Sequence, residues 1–200
     1  MANPSFIIVV SGLPRSGTSL MMQMLDRGGV ETITDNLRAA DTDNPRGYYE
    51  FERVKQIKQD ASWLPAARGK AFKMVSQLLY DLPATEVYRV IFMERDMAEM
   101  LTSQEKMLQR LNRPASPRAQ IAAAYALHLK RLHVWLGQQP HFKVLGVSYN
   151  DLVARPQDQA DRINTFVGGT LVAADMVQAV DPLLHRNKNG PAAACAGQGS

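Results

Sequence analysis

Hydrophobic residues fall along this chain in two rhythms. Four bursts are short, apolar and without clean alternation: Phe6–Val10, Ala71–Val75, Val87–Met93 and Phe142–Val147. A strand with one wet face alternates; a strand covered on both faces does not, so these bursts predict strands of a parallel sheet. Between them apolar residues recur at three- and four-residue spacing. That spacing predicts helices at Thr18–Asp26, about Phe51–Asp60, Met97–Leu111, Ala119–Leu136 and Gln157–Phe166. At the last strand exit, Val147-Ser148-Tyr149-Asn150-Asp151-Leu152 places polar caps where a helix begins. Strand alternating with helix predicts an α/β class with three layers, a mainly parallel central sheet flanked by helices. Ligands in such folds bind at the carboxyl ends of the strands. No internal repeat is visible. Residues 187–200 are small, polar and aperiodic, which predicts a flexible tail after a single domain over residues 1–186.

The richest stretch is the exit from the first strand. Ser11-Gly12-Leu13-Pro14-Arg15-Ser16-Gly17 follows the apolar run, and then Thr18 and Ser19 open a helical pattern with Leu20, Met21, Met24 and Leu25 on one side. A strand, a glycine-bounded loop and a helix start form an anion trap. N–H groups of the first turn have no intrahelical partner, and the helix dipole adds to the attraction. Gly12 and Gly17 bracket four residues, the spacing of a phosphate-binding P-loop. A loop for nucleoside triphosphates carries Lys after the second glycine. Here Thr18 stands there, and the cation is Arg15. The loop is built for a phosphate, without the usual grip on a triphosphate and its metal.

Composition narrows the remaining choices. The 200 residues suit one domain, with 46% hydrophobic and 21% charged residues, as expected of a soluble globular protein. The net charge of +4 fits a polyanionic small ligand and demands neither nucleic acid nor a membrane. The single cysteine, Cys195, excludes a disulfide framework and a cysteine-rich zinc site. No apolar run reaches transmembrane length and no signal-peptide pattern precedes the first strand, so a cytoplasmic setting is expected.

A second anion site is suggested farther on. A strand ends at Arg95, a helix begins at Asp96, and Ser103 lies about two turns along. Arg95 and Ser103 can meet a phosphate from one side, with the guanidinium offering two prongs. A plainer reading has Asp96 and Glu99 as a helix-capping box and Ser103 as a surface residue.

Taken together, Pro14-Arg15-Ser16-Gly17-Thr18-Ser19 resembles the 5′-phosphosulfate loop of the sulfotransferases that use 3′-phosphoadenosine 5′-phosphosulfate (PAPS). The arginine form is similar to the tyrosylprotein sulfotransferase branch and to bacterial sulfotransferase-like proteins. Arg95 with Ser103 resembles the family's 3′-phosphate signature. Ala71-Phe72-Lys73-Met74-Val75 looks like the strand that carries Lys-Thr-His in cytosolic members. Lys73 matches the lysine, and Val75 stands where the histidine base would be. Lys73 also reads as an edge lysine with its stem on apolar surface. Tyr149 resembles the tyrosine of a Tyr-Glu-Asp-Leu segment that lies by the adenine, although a tyrosine at a strand end often serves packing alone. Leu184 to Gly190 is weakly similar to the family's basic Arg-Lys-Gly end. The resemblance spans roughly residues 6–167 and implies sulfuryl transfer from PAPS to a hydroxyl acceptor without a metal.

Such a reaction asks for positive charge near the departing phosphate and a base for the acceptor proton. Arg15 is expected to supply charge. With a one-residue gap, Asp35 falls where the tyrosylprotein branch has its catalytic Glu, and it ranks slightly ahead of Glu50 as base. Glu50 ends the loop Asp41-Thr42-Asp43-Asn44-Pro45-Arg46-Gly47-Tyr48-Tyr49-Glu50, which reads as a lid on the acceptor side or as a plain connector. The four histidines show no paired metal-ligand spacing. Two other functions compete: a non-catalytic nucleotide or anion binder on the same fold, and a nucleotide kinase or NTPase. Thr18 in place of the P-loop lysine and Glu94-Arg95 in place of a Walker-type aspartate disfavour the latter.

Overall fold

The computed structural model describes residues 5–35, 37, 47–114 and 116–181. Four strands form one sheet: β1 (Ile7–Gly12), β2 (Ala71–Val75), β3 (Tyr88–Glu94) and β4 (Phe142–Ser148). Their order is β2-β1-β3-β4 and every pairing is parallel. All four lie where the apolar bursts predict them, β2 with the same ends and the others within two residues at either end.

Central strands are buried on both faces, and their residues divide by parity. Ile8, Val10, Ile91 and Met93 point to one layer, where they pack on helices α1 (Thr18–Arg27), α4 (Tyr149–Ala154), α5 (Pro156–Val167) and α6 (Ala173–Val177). Ile7, Val9, Val90 and Phe92 point to the other, against Trp63, Leu64 and α3 (Arg118–Gly137). Two cores on two faces explain why these strands showed no alternation. The remaining long helix, α2 (Met97–Arg110), starts from the exit of β3.

Two differences from expectation have local causes. Phe51–Asp60 is not an α-helix. A 3-10 helix covers Glu52–Gln56 and gives way to a turn. Phe51, Val54 and Ile57 recur every three residues, which matches the three-residue turn of a 3-10 helix. Val54 and Ile57 are buried, and Phe51 meets Trp63 edge-on. Helix α6 was not expected. It is too short for a periodic signal, yet its Met176 is fully buried against α1. The tail expected from Asn187 lies outside the described residues.

The topology fixes where a ligand can sit. From β1 the chain passes to β2 on one side, and then to β3 on the other side of β1. The exit of β1 is therefore the switch point of the sheet, where a crevice opens at the carboxyl ends. The outer edge of β2 is partly covered, because Ala71 exchanges hydrogen bonds with the backbone of Glu31 and Ile33. Among the described residues no helix is long and apolar enough to cross a membrane.

Leu25 on α1 is fully buried in the core that backs this crevice. Leu25→Ala is expected to lower unfolding stability by about 2–5 kcal/mol, read by denaturant titration.

Candidate functional site: the loop after the first strand

The loop from Leu13 to Gly17 turns in a space that admits no extra side-chain carbon. A Cβ on Gly12 would stand 2.5 Å from Ser16 Oγ and 2.6 Å from the Met93 carbonyl oxygen. A Cβ on Gly17, whose φ is 102°, would stand 2.4 Å from the Tyr149 ring. Arg15 has φ 70°, a left-handed conformation that costs a non-glycine residue about 1–2 kcal/mol. Helix α1 then begins at Gly17 with no side-chain cap and no acid in its first turn. Helices α2 and α4 start differently, with Asp96 and Ser148 accepting backbone N–H groups. Ser11 and Ser16 each bury a hydroxyl with no hydrogen-bond partner. Polar atoms left in that state normally await a partner. An uncapped helix start, orphaned hydroxyls and a close-approach loop fit an anion such as a phosphate.

The two expected anion sites join directly. Arg15 Nε donates to Ser103 Oγ on α2 at 3.0 Å, and Arg95 Nη1 donates to the Arg15 carbonyl at 3.3 Å. Arg95 lies over the Tyr149 ring, with its Cζ 4.3 Å from the centroid. Its Nε donates to Glu99 Oε2 at 3.3 Å, and Asn150 Nδ2 donates to the other oxygen of Glu99 at 3.3 Å. Glu99 is buried. It reads in the sequence as half of a capping box, and Asp96 does cap the helix by accepting from the Glu99 N–H. The Glu99 carboxylate, however, reaches Arg95 and Asn150. Helical spacing of four from Arg95 carried the signal for this pair. Tyr149 is also buried, which raises its phenol pKa, an effect that Arg95 partly opposes. With Arg95 on its face and Gly17 against its edge carbons, the ring acts as a wall that orients the guanidinium.

A second cluster stands on the other side of the α1 start. Lys73 Nζ donates to Ser19 Oγ at 3.1 Å, lies 4.0 Å from Glu50 Oε1, and faces the Tyr48 ring at 5.8 Å. Alternation along β2 turns Lys73 toward α1, while Phe72 and Met74 turn to the opposite core. The segment before Glu50 is pinned to α1 twice. Ser19 Oγ donates to the Tyr48 carbonyl at 3.3 Å, and the Tyr49 hydroxyl donates to Asp26 Oδ2 at 3.0 Å. Burial and that acid push the Tyr49 pKa up to about 12, so the hydroxyl remains a donor. Residues 41–46 of the expected lid lie outside the described residues.

Asp35 is next to Glu50 through the backbone, its N–H donating to the Glu50 carbonyl at 3.0 Å. Its carboxylate accepts the backbone N–H of Glu52 at 2.6 Å and that of Leu37 at 3.0 Å. Those bonds, the one from Glu52 first, hold its pKa below the usual carboxylate value. A carboxylate so stabilised is a weaker proton acceptor. Pro14, Ser16 and Thr18 lie in the loop and at the helix start as expected. Val75 follows Lys73 on the same strand face and is exposed. The next residue, Ser76, meets His128 Nε2 of α3 at 2.9 Å. An imidazole thus reaches the end of β2 from another element. Burial, with His133 nearby, pushes the His128 pKa down.

Comparisons with known proteins agree with this geometry. The model of a sulfotransferase domain family matches residues 7–188. The sulfotransferase domain from the Synechococcus PCC 7002 olefin synthase is 17% identical, with a TM-score of 0.59 over 96% of this chain and 91% of that one. The sulfotransferase domain from the curacin biosynthetic pathway is 16% identical, with a TM-score of 0.54 over 90% and 79%. A sulfotransferase from Alicyclobacillus acidocaldarius is 14% identical, with a TM-score of 0.50 over 94% and 98%. No curated protein matches the sequence. At these identities the structural likeness speaks for the fold.

Glu99 and Arg95 are almost fully buried as a pair. Glu99→Ala is expected to cost about 3–5 kcal/mol of unfolding stability, because it strands the guanidinium. Glu99→Gln keeps a hydrogen-bond acceptor and is expected to cost less. Equal losses for both in denaturant titration would show that the charge of Glu99 is what matters.

Proposed function

Because the chain belongs to the sulfotransferase domain family, we propose that it moves a sulfuryl group from PAPS to a hydroxyl acceptor. The observation that carries this reading is the patch of Arg15, Arg95 and Ser103, joined across the switch point of the sheet. Two linked sites suit a nucleotide with phosphates at both ends of its ribose better than one with a single phosphate chain. When bound, PAPS supplies the sulfuryl group and a leaving group that is already a phosphate.

The chain's own residues then have distinct tasks. Amides of the loop and first turn of α1, with the Ser16, Thr18 and Ser19 hydroxyls, hold the 5′ end, and Pro14 fixes the entry to the turn. Arg95 and Ser103 hold the 3′-phosphate, and Tyr149 and Glu99 keep Arg95 flat and aimed. Arg15 and Lys73 bring positive charge to the loop from opposite sides, where negative charge grows as the bond to sulfur breaks. Glu50 is the base this geometry favours. Its carboxylate stands beside Lys73, whereas the Asp35 carboxylate is occupied by two backbone N–H groups. Glu50 takes the acceptor's hydroxyl proton, and Lys73 keeps the carboxylate in place. Asp35, by bonding Glu52 and Leu37, shapes the segment that carries Glu50.

Two measurements test this. Adenosine 3′,5′-bisphosphate is expected to raise the Tm without Mg²⁺, more than AMP or Mg-ATP does. Arg95→Ala should weaken the bisphosphate far more than AMP, since only the former has the 3′-phosphate. A larger shift with Mg-ATP would overturn the donor assignment in favour of a kinase or NTPase.

For the base, Glu50→Gln is expected to lower sulfate transfer from labelled PAPS by about 10²- to 10⁴-fold with bisphosphate binding intact. Asp35→Asn should retain most transfer. The reverse pattern would make Asp35 the base. Absence of transfer by the unmodified protein, across phenols, sugars and alcohols, would favour a binding protein on this fold.

A further inference from the structure

The charges of this chain are unevenly placed. Between Glu105 and Asp151 there is no Asp or Glu, while Lys106, Arg110, Arg113, Arg118, Lys130, Arg131 and Lys143 lie in that stretch. The whole chain carries 23 Lys and Arg against 19 Asp and Glu, for a net charge of +4. Outside this one stretch, acids therefore outnumber bases. The stretch makes up the last third of α2, all of α3 and all of β4, an edge strand of the sheet. Its distant end from the loop is the amino-terminal half of β4, level with Tyr88–Val90 of β3.

Helix α3 is apolar on two sides. Leu132 and Leu136 point into the core against β1 and β3. On the outward side, Gln120, Ala124, Leu127, Arg131 and Val134 are all exposed and recur at spacings of four and three. That is the spacing of a seam along which a second helix packs. Leu127 is 49% exposed and Val134 is 60% exposed. Ala123 and Ala124 are small enough for close helix approach, and Lys130 and Arg131 are exposed between the two large aliphatic residues. Val144 on β4, on the same face of the sheet as Val90, is exposed as well. A helix with apolar residues all round is normally covered on every side.

We propose that the outer face of α3 docks an acidic protein partner, one that presents a helix with an apolar stripe flanked by Asp and Glu. Charge complementarity selects this occupant. A second copy of the chain, packed symmetrically, would set Lys130 and Arg131 of one protomer against the same two cations of the other, and the acids beside α3, Glu94 and Glu105, already stand at His133 and Arg118. An anionic membrane suits a helix with one strongly apolar face and an opposite polar one, whereas α3 divides its apolar residues between two faces. A nucleic acid would gain nothing from Leu127 and Val134, which offer no aromatic face for a base. An acidic helix with an aliphatic stripe uses both features at once.

The probe is a three-heptad synthetic peptide with Leu and Ala at its a and d positions and Glu at e and g. Binding to the full chain is measured by isothermal titration calorimetry at low and high salt. The peptide is expected to bind, more weakly as salt rises. Lys130→Glu with Arg131→Glu should lower affinity about tenfold or more, and a Lys-for-Glu version of the peptide should recover it. Leu127→Ser with Val134→Ser should lower affinity to a similar degree. Neither pair enters the loop site, so circular dichroism and Tm should report an unchanged fold. Failure of the unmodified chain to bind the peptide overturns the proposal. So does binding that these substitutions leave unaltered. Self-association of the chain that is abolished by Leu127→Ser and Val134→Ser would assign the face to a second copy. Binding to phosphatidylserine vesicles or to poly(U) in place of the peptide would assign it to a membrane or a nucleic acid.

Discussion

The turn from β1 into α1 passes between the Met93 carbonyl and the Tyr149 ring, with no room for a side-chain carbon at either glycine. Much of the site follows from that squeeze. Because Gly17 lies against Tyr149, the ring is held upright and offers its face to Arg95. Because Arg15 is forced into a left-handed conformation, its carbonyl meets Arg95 and its side chain meets Ser103. A single tight turn thus aligns residues from β1, β3, α2 and α4.

Arg95 brings a nearly buried guanidinium to the Arg15 backbone, and a charge so placed needs compensation. Glu99 supplies it from beneath, in a nearly dry position where an ion pair is strong but desolvation is costly. Asn150 satisfies the second carboxylate oxygen. On the other side of the α1 start, Lys73 and Glu50 form a longer, looser pair at 4.0 Å. The basic charge of α3 is of a different kind. It is exposed, mixed with aliphatic residues and set on the outer side of the sheet layer, so it belongs to a surface and not to the crevice.

The fold class was legible because strands buried on two faces leave short unbroken apolar bursts, and four such bursts occur. The helices α1, α2, α3 and α5 were legible through spacing. The reading failed at Phe51–Asp60, where a three-residue apolar repeat was taken as the helical one, and at α6, where five residues cannot show a period. The loop was legible because strand, glycine pair and helix start are contiguous in the chain. Arg95 and Ser103 were expected to face one ligand together, whereas Ser103 accepts from Arg15 and Arg95 reaches the Arg15 carbonyl and Glu99.

What the sequence determined by itself was therefore local: the parallel α/β architecture, the strand, glycine-bounded loop and helix start with Arg15 in place of a P-loop lysine, and a set of candidate residues around it. Tertiary structure decided which of them act together. Arg15 and Ser103 are 88 residues apart, and Lys73 and Ser19 are 54 apart. No periodicity spans such distances, since only the packing of α1 and α2 against the sheet brings them together. The ordering of Asp35 ahead of Glu50 rested on nearness along the chain. The fold instead gives the Asp35 carboxylate to two backbone N–H groups and sets Glu50 beside Lys73. Glu99 looked like a capping residue because a helix start explains it locally. Its contact with Arg95 is local, four residues along the chain, whereas the bond it accepts from Asn150 depends on how α2 and α4 meet and exists only once the chain has folded.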